Sequence, residues 1–231
     1  MMQHAFGTSP RTGDEARGVF ALRASLKTEM SRFRTLRLRD KDQAAFEMKR
    51  GAVMVGLARD GQLKKLRDMV GDKSPWYWFT VHMFTEAAVN ARLGVIDYMV
   101  ENGAPIDQHP LRDILTVVAE RASPDDAVKA TTHLVTSVGF LASHQRCGDW
   151  LSPLHVACQT ANFALAERLV NLGADVNAVA KDDIMPLHCA DRASDPEPFY
   201  TLLLDRGARR AWRRDPKIPD PPEGAYVLST S

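Results

Sequence analysis

Several kinds of signal are missing from this 231-residue chain, and each absence removes a class of function. No run of about 18 apolar residues occurs, so no transmembrane helix is expected. No glycine-rich phosphate-binding phrase is present, neither G-x-G-x-x-G nor G-x-x-x-x-G-K followed by Ser or Thr, which removes the common nucleotide sites. Charge is almost balanced: 30 Lys and Arg against 29 Asp and Glu leave +1, with no overall pull toward nucleic acid or a membrane surface. Cysteine is scarce. Cys147, Cys158 and Cys189 are an odd number, and with no secretory leader visible they read as free thiols in a reducing compartment.

What remains is an ordinary globular composition, 45% hydrophobic and 26% charged, long enough for one or two domains. Residues 1–13 hold Arg11, no acid, and several Ser and Thr, which is the composition of an organelle transit peptide. Asp14 and Glu15 follow at once and weigh against it. The expectation is a cytoplasmic protein, in the cytosol or on the cytoskeleton, with mitochondrial import as the alternative.

The most informative positive feature is a phrase said twice. Ser152-Pro153-Leu154-His155-Val156-Ala157 is answered 33 residues later by Met185-Pro186-Leu187-His188-Cys189-Ala190. A fixed period of that length is the signature of stacked repeats. Between the two phrases, a helix predicted over 161–171 ends at Gly173-Ala174-Asp175-Val176-Asn177-Ala178. Gly173 suits a left-handed residue closing a helix, Asp175 and Asn177 suit the turn after it, and Pro186 suits a helix start, where its missing N–H costs nothing. The next unit ends at Asp205-Arg206-Gly207-Ala208, with Asp195-Pro196-Glu197-Pro198 in its inter-helix turn. The T-P-L-H-x-A phrase and the G-A-D-V-N-A exit resemble those of the ankyrin-repeat family.

Weaker copies lie upstream. Residues 87–104 align with the family's helix–turn–helix and Gly-Ala exit, although the phrase slot reads His82-Met83-Phe84-Thr85. Residues 56–70 give another helix pair with a loop glycine at Gly61, and residues 111–139 show helical spacing in Ile114, Leu115, Val118, Ala127 and Leu134. The resemblance therefore implies an all-α fold: an ankyrin-repeat solenoid of about five helix–turn–helix units over residues 52–210, with Lys64-Lys65 and Arg209-Arg210 as polar caps. Around it lie an arm at 1–13, an Arg-rich helical extension at 14–51 and a Pro-rich extended tail at 211–231.

The extension mixes apolar residues at helical spacing, among them Phe20, Leu26, Met30 and Phe33, with many arginines; 11 basic and 6 acidic residues give residues 1–50 a net +5. Arg32, Arg34, Arg37 and Arg39 alternate with apolar residues, and Arg209, Arg210, Arg213 and Arg214 flank Trp212. Such runs are either solvated faces or contacts for an acidic partner, nucleic acid among them.

Candidate chemistry is thin. His155 and Cys158 stand at a ligand-like interval, but zinc ligands come as tight pairs, and the family resemblance gives His155 and His188 a structural role, hydrogen-bonding between neighbouring repeats. No nucleophile has a third, orienting group. The expectation is therefore no enzyme activity, no cofactor, no metal and no small-molecule substrate. The aromatic run Trp76-Tyr77-Trp78-Phe79 cannot face one way in any regular element. Either it plugs the gap between the first and second units, or its outward members Trp76 and Trp78 are binding anchors. The resemblance maps the concave binding surface, finger tips and first-helix faces, onto Trp150, Leu151, Gln159, Lys181, Asp183, Ile184 and Asp191, with Trp150 where a turn glycine is usual. The function this implies is non-enzymatic protein–protein interaction. The alternative is a structural subunit of a large ribonucleoprotein or cytoskeletal assembly, anchored by the basic arms.

Overall fold

The computed structural model describes residues 41–70, 77–104, 106, 111–146 and 148–209. The arm at 1–13, the extension up to residue 40, and Trp76, Cys147, Arg210 and the tail at 211–231 lie outside the described residues. Within them the regular structure is helical, with no strand. The helices come in pairs: α1 Lys41–Arg59 with α2 Leu63–Val70, α3 Tyr77–Val89 with α4 Leu93–Glu101, α5 Ile114–Arg121 with α6 Pro124–His133, α7 Pro153–Gln159 with α8 Phe163–Asn171, and α9 Pro186–Ala190 with α10 Glu197–Asp205. The first helices form one row, α1 on α3, α3 on α5, α5 on α7 and α7 on α9. Of the second helices, α6 packs on α8 and α8 on α10. Helix α1 runs without a break through the 51/52 boundary assigned from the sequence.

One turn, made repeatedly, sets the pairing. Gly61, Ala91 and Ala161 all take a left-handed φ, at +73°, +51° and +55°. Each donates to the carbonyl three residues back, and the next residue donates to the carbonyl five back: Gln62 to Leu57 at 2.9 Å, Arg92 to Ala87 at 2.8 Å, Asn162 to Ala157 at 2.9 Å. This is the double bond of a Schellman helix end. The exits of the second helices repeat it. Gly103, Gly173 and Gly207 are left-handed, and Ala104, Ala174 and Ala208 reach back to Met99, Leu169 and Leu203, each at 2.9 Å. In the predicted helix over 161–171, Ala161 belongs to the turn. Asn162 caps the helix by accepting from Leu165 N–H at 3.1 Å, so the helix proper begins at Phe163.

The third pair departs from the pattern. Helix α6 runs into a π-helical turn, Leu134–Val138, closed by Gly139 at φ +98°. Both Gly139 and Phe140 donate to Leu134 O. The hydroxyls of Thr116 and Thr131 are buried in this pair without a hydrogen-bond partner among the described residues.

The core is continuous along the row, from Met54 and Ala58 through Phe84, Ile96, Leu115, Leu134, Leu154 and Leu169 to Leu203. Of the aromatic run, Phe79 is half-buried, and its ring lies against the backbone of Gly51, where an added Cβ would sit 2.0 Å from a ring carbon. This phenylalanine does fill the junction between the first two helix pairs. Trp78 falls in the first turn of α3, and its side chain is not among those described. Four arginines stitch consecutive pairs together at separations of 33 to 36 residues: Arg92 to Arg59 O, Arg121 to Glu86, Arg168 to Thr132 Oγ1 and Arg206 to Asn171 Oδ1, all at 2.8–2.9 Å.

Candidate functional site

Two loops and the helix starts beneath them carry most of the described residues expected on the binding surface. The first loop precedes α7. Arg146 N–H donates to Leu151 O at 2.8 Å and Trp150 N–H donates to Arg146 O at 3.0 Å, so Trp150 and Leu151 come back beside Arg146. The Arg146 guanidinium clamps the turn, donating to both carboxylate oxygens of Asp149 at 2.5–3.1 Å and to Glu120 of α5 at 2.5 Å. The hydrogen bond to Asp149, against the opposing effect of burial, raises the arginine above its ordinary pKa; the same bond lowers the carboxyl of Asp149. Asp149 Oδ1 also accepts from Leu151 N–H at 3.1 Å.

The second loop precedes α9. Ala180 N–H donates to Ile184 O at 2.7 Å across a tip in which both Asp182 and Asp183 are left-handed, at φ +62° and +58°. Two consecutive positive φ values are the mark of a primed turn, a conformation that Asp, Asn and Gly adopt most readily. The two loops are tied side by side. Lys181 N–H donates to Asp149 O at 2.9 Å, and Gln145 Nε2 donates to both Trp150 O and Val179 O at 2.8 Å.

Below the loops, His155 at the start of α7 is fully buried. Its Nδ1 accepts from Ser152 N–H at 3.1 Å, so Nε2 carries the proton and donates to Ile184 O of the second loop at 3.1 Å. Burial lowers its pKa, which keeps the ring neutral. At His188 the first half of this arrangement recurs: its Nδ1 accepts from Met185 N–H at 3.1 Å. The structural role that the resemblance implied is present in the geometry of His155.

The tip carries two exposed apolar side chains, Trp150 at 59% exposure and Val179 at 46%. Trp150 also stands at φ +63°, where a bulky residue is strained. Of the other residues expected on this surface, Gln159, Lys181, Asp183 and Asp191 are exposed, while Leu151 and Ile184 are half-buried and Ile184 packs against the core. Asp191 accepts from the Tyr200 hydroxyl. Arg209 is exposed, and its N–H donates to Asn177 Oδ1 at 2.7 Å. Arg32, Arg34, Arg37, Arg39, Arg210, Arg213 and Arg214, like Trp76, lie outside the described residues.

Sequence reasoning missed Val179, Gln145 and the Arg146–Asp149–Glu120 clamp. For Val179 the sequence offered no signal: Ala178-Val179-Ala180 is apolar throughout, and only the fold buries the two alanines and turns the valine outward.

Burial pushes the Cys158 thiol far above the ordinary range and that of Cys189 up to about 11, so neither is a thiolate near neutral pH. Among the described residues no three His, Cys, Asp or Glu side chains are grouped to hold a metal. No described helix is long and apolar enough to cross a membrane.

Residues 149–181, from the first loop through α7 and α8 to the second, match the family model of the ankyrin repeat. No curated protein matches the chain.

Proposed function

We propose that this chain, which carries an ankyrin repeat at residues 149–181, is a non-enzymatic scaffold that binds a protein partner through its paired loops. In this reading residues 52–210 hold about five successive units of one ankyrin solenoid. Residues 14–51 and 211–231 are its extension and tail, and it acts in the cytosol or on the cytoskeleton. The observation that carries it is Trp150, 59% exposed on a loop whose backbone is held by its own hydrogen bonds and by the neighbouring loop. Trp is the residue type most enriched among interface anchors, and a loop ordered before binding loses little further entropy. Trp150 and Val179 supply apolar contact; the exposed Gln159, Lys181, Asp183 and Asp191 supply polar discrimination.

The test is affinity purification from native cells with wild-type and Trp150→Ala baits. A set of chains retained by the first and lost by the second supports the proposal; identical sets sink it.

A second reading rests on the net +5 of residues 1–50, which favours an acidic assembly, nucleic acid or an acidic polymer, gripped by the arms. Its signature is binding that weakens steeply with salt and is lost when residues 1–40 are removed.

A further inference from the structure

The side chains on and beneath the paired loops carry an excess of one sign of charge. Arg146 and Lys181 are basic; Glu120, Asp149, Asp182 and Asp183 are acidic, which leaves −2 in a chain whose total is +1. The excess is not spread evenly. Arg146 holds both Asp149 and Glu120, so two of the four carboxylates are paired and that guanidinium is engaged. Asp182 and Asp183 are exposed, and neither carboxylate has a hydrogen bond or an ion pair among the described residues. Exposed Lys181 sets a single positive charge beside the two.

The free carboxylates stand next to the apolar part of the same surface. Trp150 and Asp183 hold equivalent places in consecutive loops, 33 residues apart, and both are left-handed, at φ +63° and +58°. The bond from Lys181 N–H to Asp149 O ties the loops one residue before Trp150 and two before Asp183. Gln145 holds the carbonyls of Trp150 and Val179 together. Trp150, Val179, Asp182 and Asp183 therefore lie on two neighbouring loop ends, a patch that a short segment of a partner covers. A strained bulky residue at such a point is kept where its side chain has a use.

An aromatic face beside unpaired carboxylates complements a planar cation. A guanidinium stacks on an indole through its face and pairs with a carboxylate through its edge; a compact ammonium does not combine the two. The other occupants fit less well. An acidic segment meets like charge, and a purely apolar one buries Asp182 and Asp183 without a partner.

We infer that the paired loops receive a basic and apolar segment of the protein partner. One arginine of that segment stacks on Trp150 and pairs with Asp182 or Asp183, and an apolar residue beside it rests on Val179. This rests on the reading of the loops as a protein-binding surface and adds the chemistry of what they bind.

The probe is a random peptide library displayed on phage and selected on the immobilised full chain. The most enriched peptide is then synthesised and titrated against full-length variants by fluorescence anisotropy. Asp182→Asn combined with Asp183→Asn removes the charge and keeps a residue that accepts left-handed backbone, so an unchanged urea midpoint reports an intact turn. The expected peptides carry an arginine next to an apolar residue. Their affinity should fall about ten-fold in the double variant, and as far when glutamine replaces the peptide's arginine or in Trp150→Ala. Enriched peptides without a basic residue overturn the inference. So does binding that the double variant keeps and Trp150→Ala loses; both results leave the loops as a protein-binding surface. Peptides that bind Trp150→Ala as tightly as wild type overturn the inference and that reading together. A selection with no enrichment overturns the inference as well, since the loops then take no short segment.

Discussion

The imidazole of His155 reaches out of helix α7 and donates a hydrogen bond to the carbonyl of Ile184, 29 residues later, at 3.1 Å. One buried side chain thus fixes the start of its own helix through Ser152 and holds the next loop in place. Removing it takes the acceptor from the Ser152 N–H and leaves the Ile184 carbonyl with the Ala180 N–H alone. His155→Ala should cost about 2–3 kcal/mol of stability, read as a lower midpoint in urea. An unchanged midpoint would mean that the ring does not bear on the fold.

The same histidine has a pH signature. Burial lowers its pKa in the folded state from the ordinary 6.5. The unfolded chain therefore takes up a proton first as pH falls. The contribution is complete above about pH 6.5 and drains away below it. Wild type should lose stability between pH 6.5 and 5 more steeply than His155→Gln. Parallel curves for the two proteins would contradict the assignment.

Ala161 sits at φ +55° in a turn where Gly61 occupies the equivalent place. A Cβ in the left-handed region is strained, and glycine relieves that at some cost in unfolded-state entropy. Ala161→Gly should stabilise by about 0.5–1 kcal/mol in thermal unfolding, whereas Ala164→Gly, inside α8, should destabilise by a similar amount.

Gly51→Ala places a Cβ 2.0 Å from the Phe79 ring. The expected loss is about 1–3 kcal/mol, and Phe79→Leu in the same chain should recover part of it. Additive losses would show that the two residues do not meet.

At Trp150 stability and binding should move in opposite directions. Trp150→Gly removes the strain of φ +63° and should raise the unfolding midpoint by the equivalent of about 0.5–1 kcal/mol. The same change should weaken the partner by about 2 kcal/mol, close to thirty-fold, in calorimetry with a purified partner. A variant that binds as tightly as wild type would remove Trp150 from the interface.

Much of this was legible in the sequence because it depends on local backbone chemistry. Gly61, Gly173 and Gly207 mark left-handed helix ends wherever they occur, and Pro186 marks a helix start. The buried role of His155 was legible by a different route, the resemblance of its phrase. The illegible parts depend on contacts between distant residues or on strain. Gly51 looks like any helical glycine until the Phe79 ring is laid on it. Ala91 and Ala161 make a glycine's turn with no glycine to announce it. The π-helical turn at Leu134–Val138 breaks a pattern that Ile114, Leu115 and Val118 led one to expect. Val179 became part of the candidate surface only when Gln145 was seen to hold its carbonyl beside that of Trp150.

The stacking of first helices has a mechanical consequence. Since α3 rests on α1 and α5, and α7 on α5 and α9, a pull along the row passes through every interface in series. A series of springs gives way at its softest member. The third pair combines two buried hydroxyls with no partner among the described residues and a widened helical turn, which makes it the member expected to yield first. In a pulling experiment loaded from both ends, the expected first event is parting there, with α7–α10 and the loops that carry Trp150 and Val179 released together.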